Sequence, residues 1–132
     1  MGSVRLMLVD DSSAQRHIIR RRLAHDTSLE VVAEASGGSE AIALYRELRP
    51  DVVLLDLVMP DMSGEEVLQE ILKHDPSARV IVVSSLGTDA SIERCLDMGA
   101  RTFLQKPFDH PDLERALQSI APAAETEAEE VV

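Results

Sequence analysis

Five short runs of β-branched and aliphatic residues alternate along the chain with longer stretches in which apolar residues recur every three or four positions. The runs Arg5–Val9, Val31–Ala35, Asp51–Asp56, Arg79–Ser85 and Thr102–Lys106 predict strands. Three of them hold uninterrupted apolar segments: Leu6-Met7-Leu8-Val9, Val52-Val53-Leu54-Leu55 and Val80-Ile81-Val82-Val83. A strand with one wet face alternates, so these segments mark strands covered on both faces, as in a parallel sheet.

The stretches between them read as helices. Ser13 is placed to cap a helix reaching about Ala24, with Ile18, Ile19 and Leu23 on its apolar side. Ser39–Leu48 follows with Ala41, Ile42, Leu44, Tyr45 and Leu48 at helical spacing, and Pro50 closes it. Ser63-Gly64-Glu65-Glu66 has the form of a capping box ahead of the stripe Val67, Leu68, Ile71 and Leu72. Asp89–Met98 carries Ile92, Cys95 and Leu96, with Gly99 in the C′ position. Asp112–Ile120, entered through Pro111, completes the set. The order is (βα)₅ without internal repeat or linker. Right-handed crossovers then give an α/β, doubly wound, five-stranded parallel sheet, flavodoxin-like in its order 2-1-3-4-5.

The length of 132 residues suits one domain. Residues 1–121 are expected to form it. Residues 122–132, acidic and poor in large apolar side chains, read as a disordered tail or the stub of a linker. Tyr45, Phe103 and Phe108 are the only aromatic residues, so the core must be aliphatic and an aromatic left at the surface stands out. Net charge is −11, four units of it from Glu125, Glu127, Glu129 and Glu130. An acidic body without a basic stripe argues against direct nucleic-acid binding, which needs Lys and Arg to neutralise phosphates. Cys95 is the single cysteine, which excludes an internal disulfide and fits a reducing, cytoplasmic setting. Neither a membrane-spanning apolar run nor a secretory signal pattern is present, so no membrane partner is expected.

Position along the strands carries the chemistry. Asp10 and Asp11 fall at the end of the first strand, Asp56 at the third, Ser84 at the fourth and Lys106 at the fifth. In the order 2-1-3-4-5 these four strands are neighbours, so the five side chains gather on the carboxyl edge of the sheet, where open α/β folds bind ligands. Each alone reads as a turn former or a helix cap; together they read as a site. Three clustered carboxylates require a raised pKa or a cation among them. All donors are hard oxygens, which points to a hard divalent ion, and Mg²⁺ fits best because it accepts few protein carboxylates and completes its shell with water and phosphate oxygen. No general base for hydrolysis belongs to the set. Alignment and charge neutralisation suit phosphoryl transfer, with Asp56 as the carboxylate nucleophile at the middle of the edge. Asp10 and Asp11 would hold the metal, and Lys106 and the Ser84 hydroxyl would meet phosphoryl oxygens.

These residues resemble the motifs of bacterial two-component response-regulator receiver domains, chemotaxis regulators among them. Leu8-Val9-Asp10-Asp11-Ser12 resembles the acid pair. Leu55-Asp56-Leu57-Val58-Met59-Pro60-Asp61-Met62-Ser63-Gly64 resembles the phosphoacceptor strand and its loop. Val82-Val83-Ser84-Ser85 and Lys106-Pro107-Phe108 resemble the switch-hydroxyl strand and the lysine turn. The resemblance covers residues 5 to about 120. It implies a phosphoryl group accepted onto Asp56 from a histidine kinase or phosphotransfer protein. Mg²⁺ would be held by Asp11, Asp56 and the Val58 backbone carbonyl, with Asp10 acting through water. It also implies a cis Lys106–Pro107 bond and Phe103 as an aromatic switch. The resemblance further implies that on phosphorylation Ser84 would move toward the phosphoryl group and Phe103 would turn inward, repacking the face of helix 4, strand 5 and helix 5 that would meet a downstream protein. Such a domain is not a turnover enzyme; it takes up the group and loses it slowly. Ser84 stands where the family commonly has Thr and keeps the hydroxyl.

Two other classes compete. A haloacid-dehalogenase-type hydrolase also uses a strand-terminal Asp and Mg²⁺, but it wants an Asp-x-Asp pair where this chain has Val58, and a cap domain for which there is no room. A phosphorylation-independent pseudo-receiver would not need the complete acidic set with Ser84 and Lys106. Elsewhere, Arg16, His17, Arg20, Arg21 and Arg22 form a basic patch on the first helix that reads equally as a kinase-docking face or a solvated one. Cys95 falls at core spacing. His17, His25, His74 and His110 lack ligand spacing and read as surface residues, and Met59, Met62 and Met98 as gap-fillers.

Val58 and Leu86 occupy positions that, in the family, flank the path of the water that hydrolyses the acyl phosphate. Two aliphatic side chains cannot orient that water, so dephosphorylation is expected to be slow. A phosphate-release assay should find the Val58→Asn, Leu86→Glu double variant faster than wild type; equal rates would refute this reading.

Overall fold

The three continuous apolar segments become the three central strands of one sheet. The computed structural model describes residues 3–85 and 90–120. Its elements in chain order are β1 (Val4–Val9), α1 (Ser13–Leu23), β2 (Leu29–Ala35), α2 (Gly38–Leu48), β3 (Val52–Asp56), α3 (Gly64–His74), β4 (Val80–Ser84), α4 (Ala90–Met98), β5 (Thr102–Gln105) and α5 (His110–Ser119). The order is β2-β1-β3-β4-β5, with every pairing parallel. This is the flavodoxin-like, doubly wound sheet that the alternation predicts.

Pleating sends successive side chains to opposite faces, and here both faces are apolar. Met7, Val9, Val53, Leu55, Val80 and Val82 pack with Ala41 and Tyr45 of α2, Val67, Leu68 and Ile71 of α3, and Ile92 and Cys95 of α4. Leu6, Leu8, Val52, Leu54, Ile81 and Val83 pack with Ile19 and Leu23 of α1, Leu113 and Ala116 of α5, and Phe108. Full burial of one such aliphatic side chain contributes about 1.5–3 kcal/mol. The driving force therefore lies between the sheet and its helices, which leaves the strand tips free to carry polar groups. Among the described residues, no helix is long and apolar enough to cross a membrane.

Element ends differ from the sequence expectation where short polar side chains decide them. Ser12, not Ser13, caps α1: its hydroxyl accepts from the Gln15 N–H at 3.2 Å. The Ser12 N–H in turn donates to Asp10 Oδ1 at 2.9 Å, which holds Ser12 in the extended conformation a cap requires. α5 begins at His110 rather than Asp112, because Asp109 caps it and pairs reciprocally with Asp112. The Ser63–Glu66 capping box forms as expected, and Gly99 follows α4 with a φ of 127° that suits glycine alone. β2 starts two residues early, at Leu29, which pairs with Val4. β1 stops at Val9 and β5 at Gln105, so Asp10 and Lys106 stand one residue beyond their strands. Met59 is buried and Met62 packs against the core, but Met98 is exposed, at the edge of the stripe that Ile92 and Cys95 set. Asp89, expected to open α4, Leu86 and the tail from Pro122 lie outside the described residues.

Candidate functional site

The parallel register brings the carboxyl ends of β1, β3, β4 and β5 side by side. Val9 pairs with Leu55, Asp56 with Val83, and Ser84 with Gln105. The next residues out therefore converge. The Lys106 ammonium donates to Asp10 Oδ2 at 2.8 Å and to Asp56 Oδ2 at 3.2 Å, bridging the first, third and fifth strands. Asp11 joins them: one carboxylate oxygen from each of Asp10, Asp11 and Asp56 lies within 4.8 Å of the others. Asp10, Asp56 and Ser84 are the buried polar residues of the described chain. The Lys106 N–H donates to the Ser84 carbonyl at 2.8 Å, which sets the hydroxyl-bearing residue beside the lysine turn. The Lys106–Pro107 bond is cis.

The electrostatics follow from burial. Desolvation raises the Asp56 carboxyl above its ordinary value, against the Val58 N–H at 3.1 Å on Oδ1 and the Lys106 charge, which pull it down. Burial presses the Lys106 pKa down, but the hydrogen bond to Asp10 and the charges of Asp56 and Asp10 outweigh it and leave Lys106 raised. Two carboxylates at this separation repel by roughly 3 kcal/mol at an effective dielectric near 20. Three carboxylates against one ammonium leave two negative charges unanswered, and the nearby Arg16 is paired to Glu34 at 3.0 Å. Oxygen-only donors with that excess charge fit a hard divalent ion.

The scaffold around the acids was only partly visible in the sequence. Gly64 lies so close under the loop after β3 that a Cβ there would stand 2.6 Å from Leu57 Cα and 2.9 Å from the Asp56 carbonyl oxygen. Any side chain would push that loop off Asp56. Asp61 anchors the same loop by accepting from the Gly38 and Ser39 N–H groups at the start of α2, at 3.0 and 3.2 Å. Those bonds hold its carboxyl below the usual range. Arg16 was expected in an exposed basic patch; instead its side chain is largely buried and donates to the Asp10 carbonyl and to Glu34. The reach of a guanidinium across a strand end has no signal in linear spacing. Arg22 is likewise tied to the Phe108 carbonyl, and Arg20 to Glu34. His110, expected at the surface, is half-buried against Asp26, because the cap at Asp109 starts α5 early enough to turn it inward. Cys95 is buried, as its spacing implies.

Residues 6–118 match the family model of the response regulator receiver domain. The chain belongs to this family. It is a receiver of the CheY type, similar to the chemotaxis protein CheY of Listeria monocytogenes, with 40% identity over 92% of this chain and 98% of that one. A methylesterase/glutaminase of Bacillus licheniformis is 43% identical over 79% of this chain, which is only 29% of that longer protein. Among solved structures, the receiver is similar to the crystal structure of the CheX–CheY–BeF₃–Mg²⁺ complex from Borrelia burgdorferi, with a TM-score of 0.82 and 31% identity over 88% of this chain and 87% of that one. Receivers of this type are in general signalling domains of two-component systems rather than turnover enzymes.

Two further residues that the resemblance singles out lie at the surface. Phe103 on β5 is 40% exposed, one of few large apolar side chains at the surface, and it lines a groove of about 620 Å³ with Lys106, Pro107 and Arg115. Val58, two residues past Asp56, is 69% exposed.

The raised Asp56 carboxyl fixes a sign for stability. The folded state holds that proton more tightly than the unfolded chain, so ionised Asp56 costs stability increasingly as pH rises above the unfolded value near 3.9. In EDTA at neutral pH, Asp56→Asn should be more stable than wild type by about 1 kcal/mol, seen as a higher melting temperature, and the gain should vanish near pH 3. A lower melting temperature for the variant at neutral pH would show that the Lys106 pair outweighs desolvation.

Proposed function

We propose that Asp56 accepts a phosphoryl group from the phosphohistidine of a histidine kinase or phosphotransfer protein, and that residues 1–121 then change the face they offer to a downstream protein. The observation that carries this reading is the Lys106 ammonium held between the Asp10 and Asp56 carboxylates, with Asp11 in reach of both. A site built for hydrolysis would instead present a base to water. The second Asp of a haloacid-dehalogenase pair is also missing, since Val58 stands in its place.

An Asp56 carboxylate oxygen attacks phosphorus as the P–N bond breaks. The bonding pair leaves with the imidazole nitrogen, which takes up a proton, and Asp56 becomes an acyl phosphate. Lys106 exchanges its bond to Asp56 for one to a phosphoryl oxygen, and the Ser84 hydroxyl moves in to donate to another. Asp11, Asp56 and the Val58 carbonyl would hold Mg²⁺, with Asp10 acting through water, and the bound ion would neutralise charge on the phosphoryl oxygens. The shift of Ser84 makes room for Phe103 to turn in from the surface. The new charge favours that arrangement over the present one, which changes the α4–β5–α5 face. The reading implies a cytoplasmic protein that acts by protein contact, without direct binding to nucleic acid or membrane, and carries its acidic residues 122–132 as a tail or linker.

Incubation with acetyl phosphate and Mg²⁺, read by intact mass, should add one phosphoryl group to wild type and none to Asp56→Asn. EDTA should abolish the addition. Unchanged stoichiometry in the variant would contradict the assignment.

A further inference from the structure

A second group of ligating side chains lies away from the strand tips, where the loop after α1 meets the start of α5. His110 Nε2 is 2.8 Å from Asp26 Oδ2, and Glu114 brings a carboxylate oxygen within 4.8 Å of ligand atoms of both. The ring of His25 stands 5.3 Å from that of His110, tilted by 45°. We propose that Asp26, His110 and Glu114 form a binding site for a divalent transition-metal ion of the zinc class.

Three features favour a ligand site over an ordinary ion pair. His110 and Glu114 are one helical turn apart, and side chains four residues apart share a face. Asp26 is oriented in advance: its Oδ1 accepts from the Ser28 N–H at 2.9 Å and from the Ser28 hydroxyl at 2.5 Å, which leaves Oδ2 aimed at the imidazole. A carboxylate oriented through its other oxygen is the usual support for a metal ligand. The Ser28 hydroxyl and then His110 bring the Asp26 pKa down to about 2, so the ligand is ionised at any working pH. Tetrahedral zinc, with bonds near 2.0–2.2 Å, places ligand atoms about 3.3 Å apart. The Asp26–His110 contact has to open slightly and the exposed Glu114 side chain has to close, both within rotamer motion.

The donor chemistry separates this group from the strand-tip acids. Imidazole with carboxylate favours zinc, nickel or copper, whereas an oxygen-only cluster favours Mg²⁺. Occupancy would tie the loop after α1 to the first turn of α5, where Arg22 already holds the Phe108 carbonyl.

The test uses the tag-free full chain in excess Mg²⁺, which fills the oxygen cluster. Zn²⁺ is titrated by calorimetry and Co²⁺ by its ligand-field absorption. One equivalent should bind, and His110→Ala and Glu114→Gln should each weaken it by at least about tenfold. His74→Ala and Asp56→Asn should leave the affinity within about twofold. Glu114 is exposed, so its Gln variant keeps the test decisive if His110→Ala fails to fold. Wild-type affinity in Glu114→Gln, loss of binding in Asp56→Asn, or no binding by wild type would each overturn the proposal.

Discussion

Three carboxylates converge where four parallel strands end, and a single ammonium stands among them. That crowding is the constraint on which the rest of the structure depends. Lys106 answers Asp10 and Asp56 directly, at 2.8 and 3.2 Å, yet the charge count remains two short of neutral. The strand tips therefore carry a net deficit of two charges, the size that one divalent ion would answer. Burial sharpens the effect: Asp10 and Asp56 are almost wholly out of water, where an uncompensated charge costs far more than at a surface.

Holding such a site requires stiffness that the site itself cannot provide. The sheet supplies it, because side chains on both faces of β1, β3 and β4 are buried and fix the strand ends in register. The loop beyond Asp56 is then clamped from two directions. The α3 N-terminus lies against it because Gly64 has no side chain, and Asp61 hooks it to α2. Arg16 does the same for the Asp10 carbonyl from α1. Phe103, by contrast, is left half in water on the short β5, the one large aromatic ring without a place in the core. A rigid strand edge beside an unsettled aromatic would suit the two-state switch proposed above.

Much of this is legible in the sequence, for a physical reason. Continuous apolar segments mark strands covered on both sides, and five strands alternating with helices fit the doubly wound order 2-1-3-4-5, which sets the edge on which Asp10, Asp11, Asp56, Ser84 and Lys106 meet. The remainder depends on reach rather than on spacing. Asp61 caps a helix that precedes it by more than twenty residues. Arg16 turns away from the patch its neighbours suggest. Asp26 finds His110 across 84 positions. Ser12 rather than Ser13 caps α1 only because Asp10 holds its N–H, a choice that two adjacent serines cannot reveal.

The central claim is that the deficit at the strand tips is a magnesium site. Titration of the ¹⁵N-labelled protein with Mg²⁺ tests it most directly. The largest amide shifts should cluster at residues 10–12, 56–58 and 106, saturate together, and disappear in Asp11→Asn. Shifts scattered over the surface, or centred elsewhere and unchanged in that variant, would contradict it.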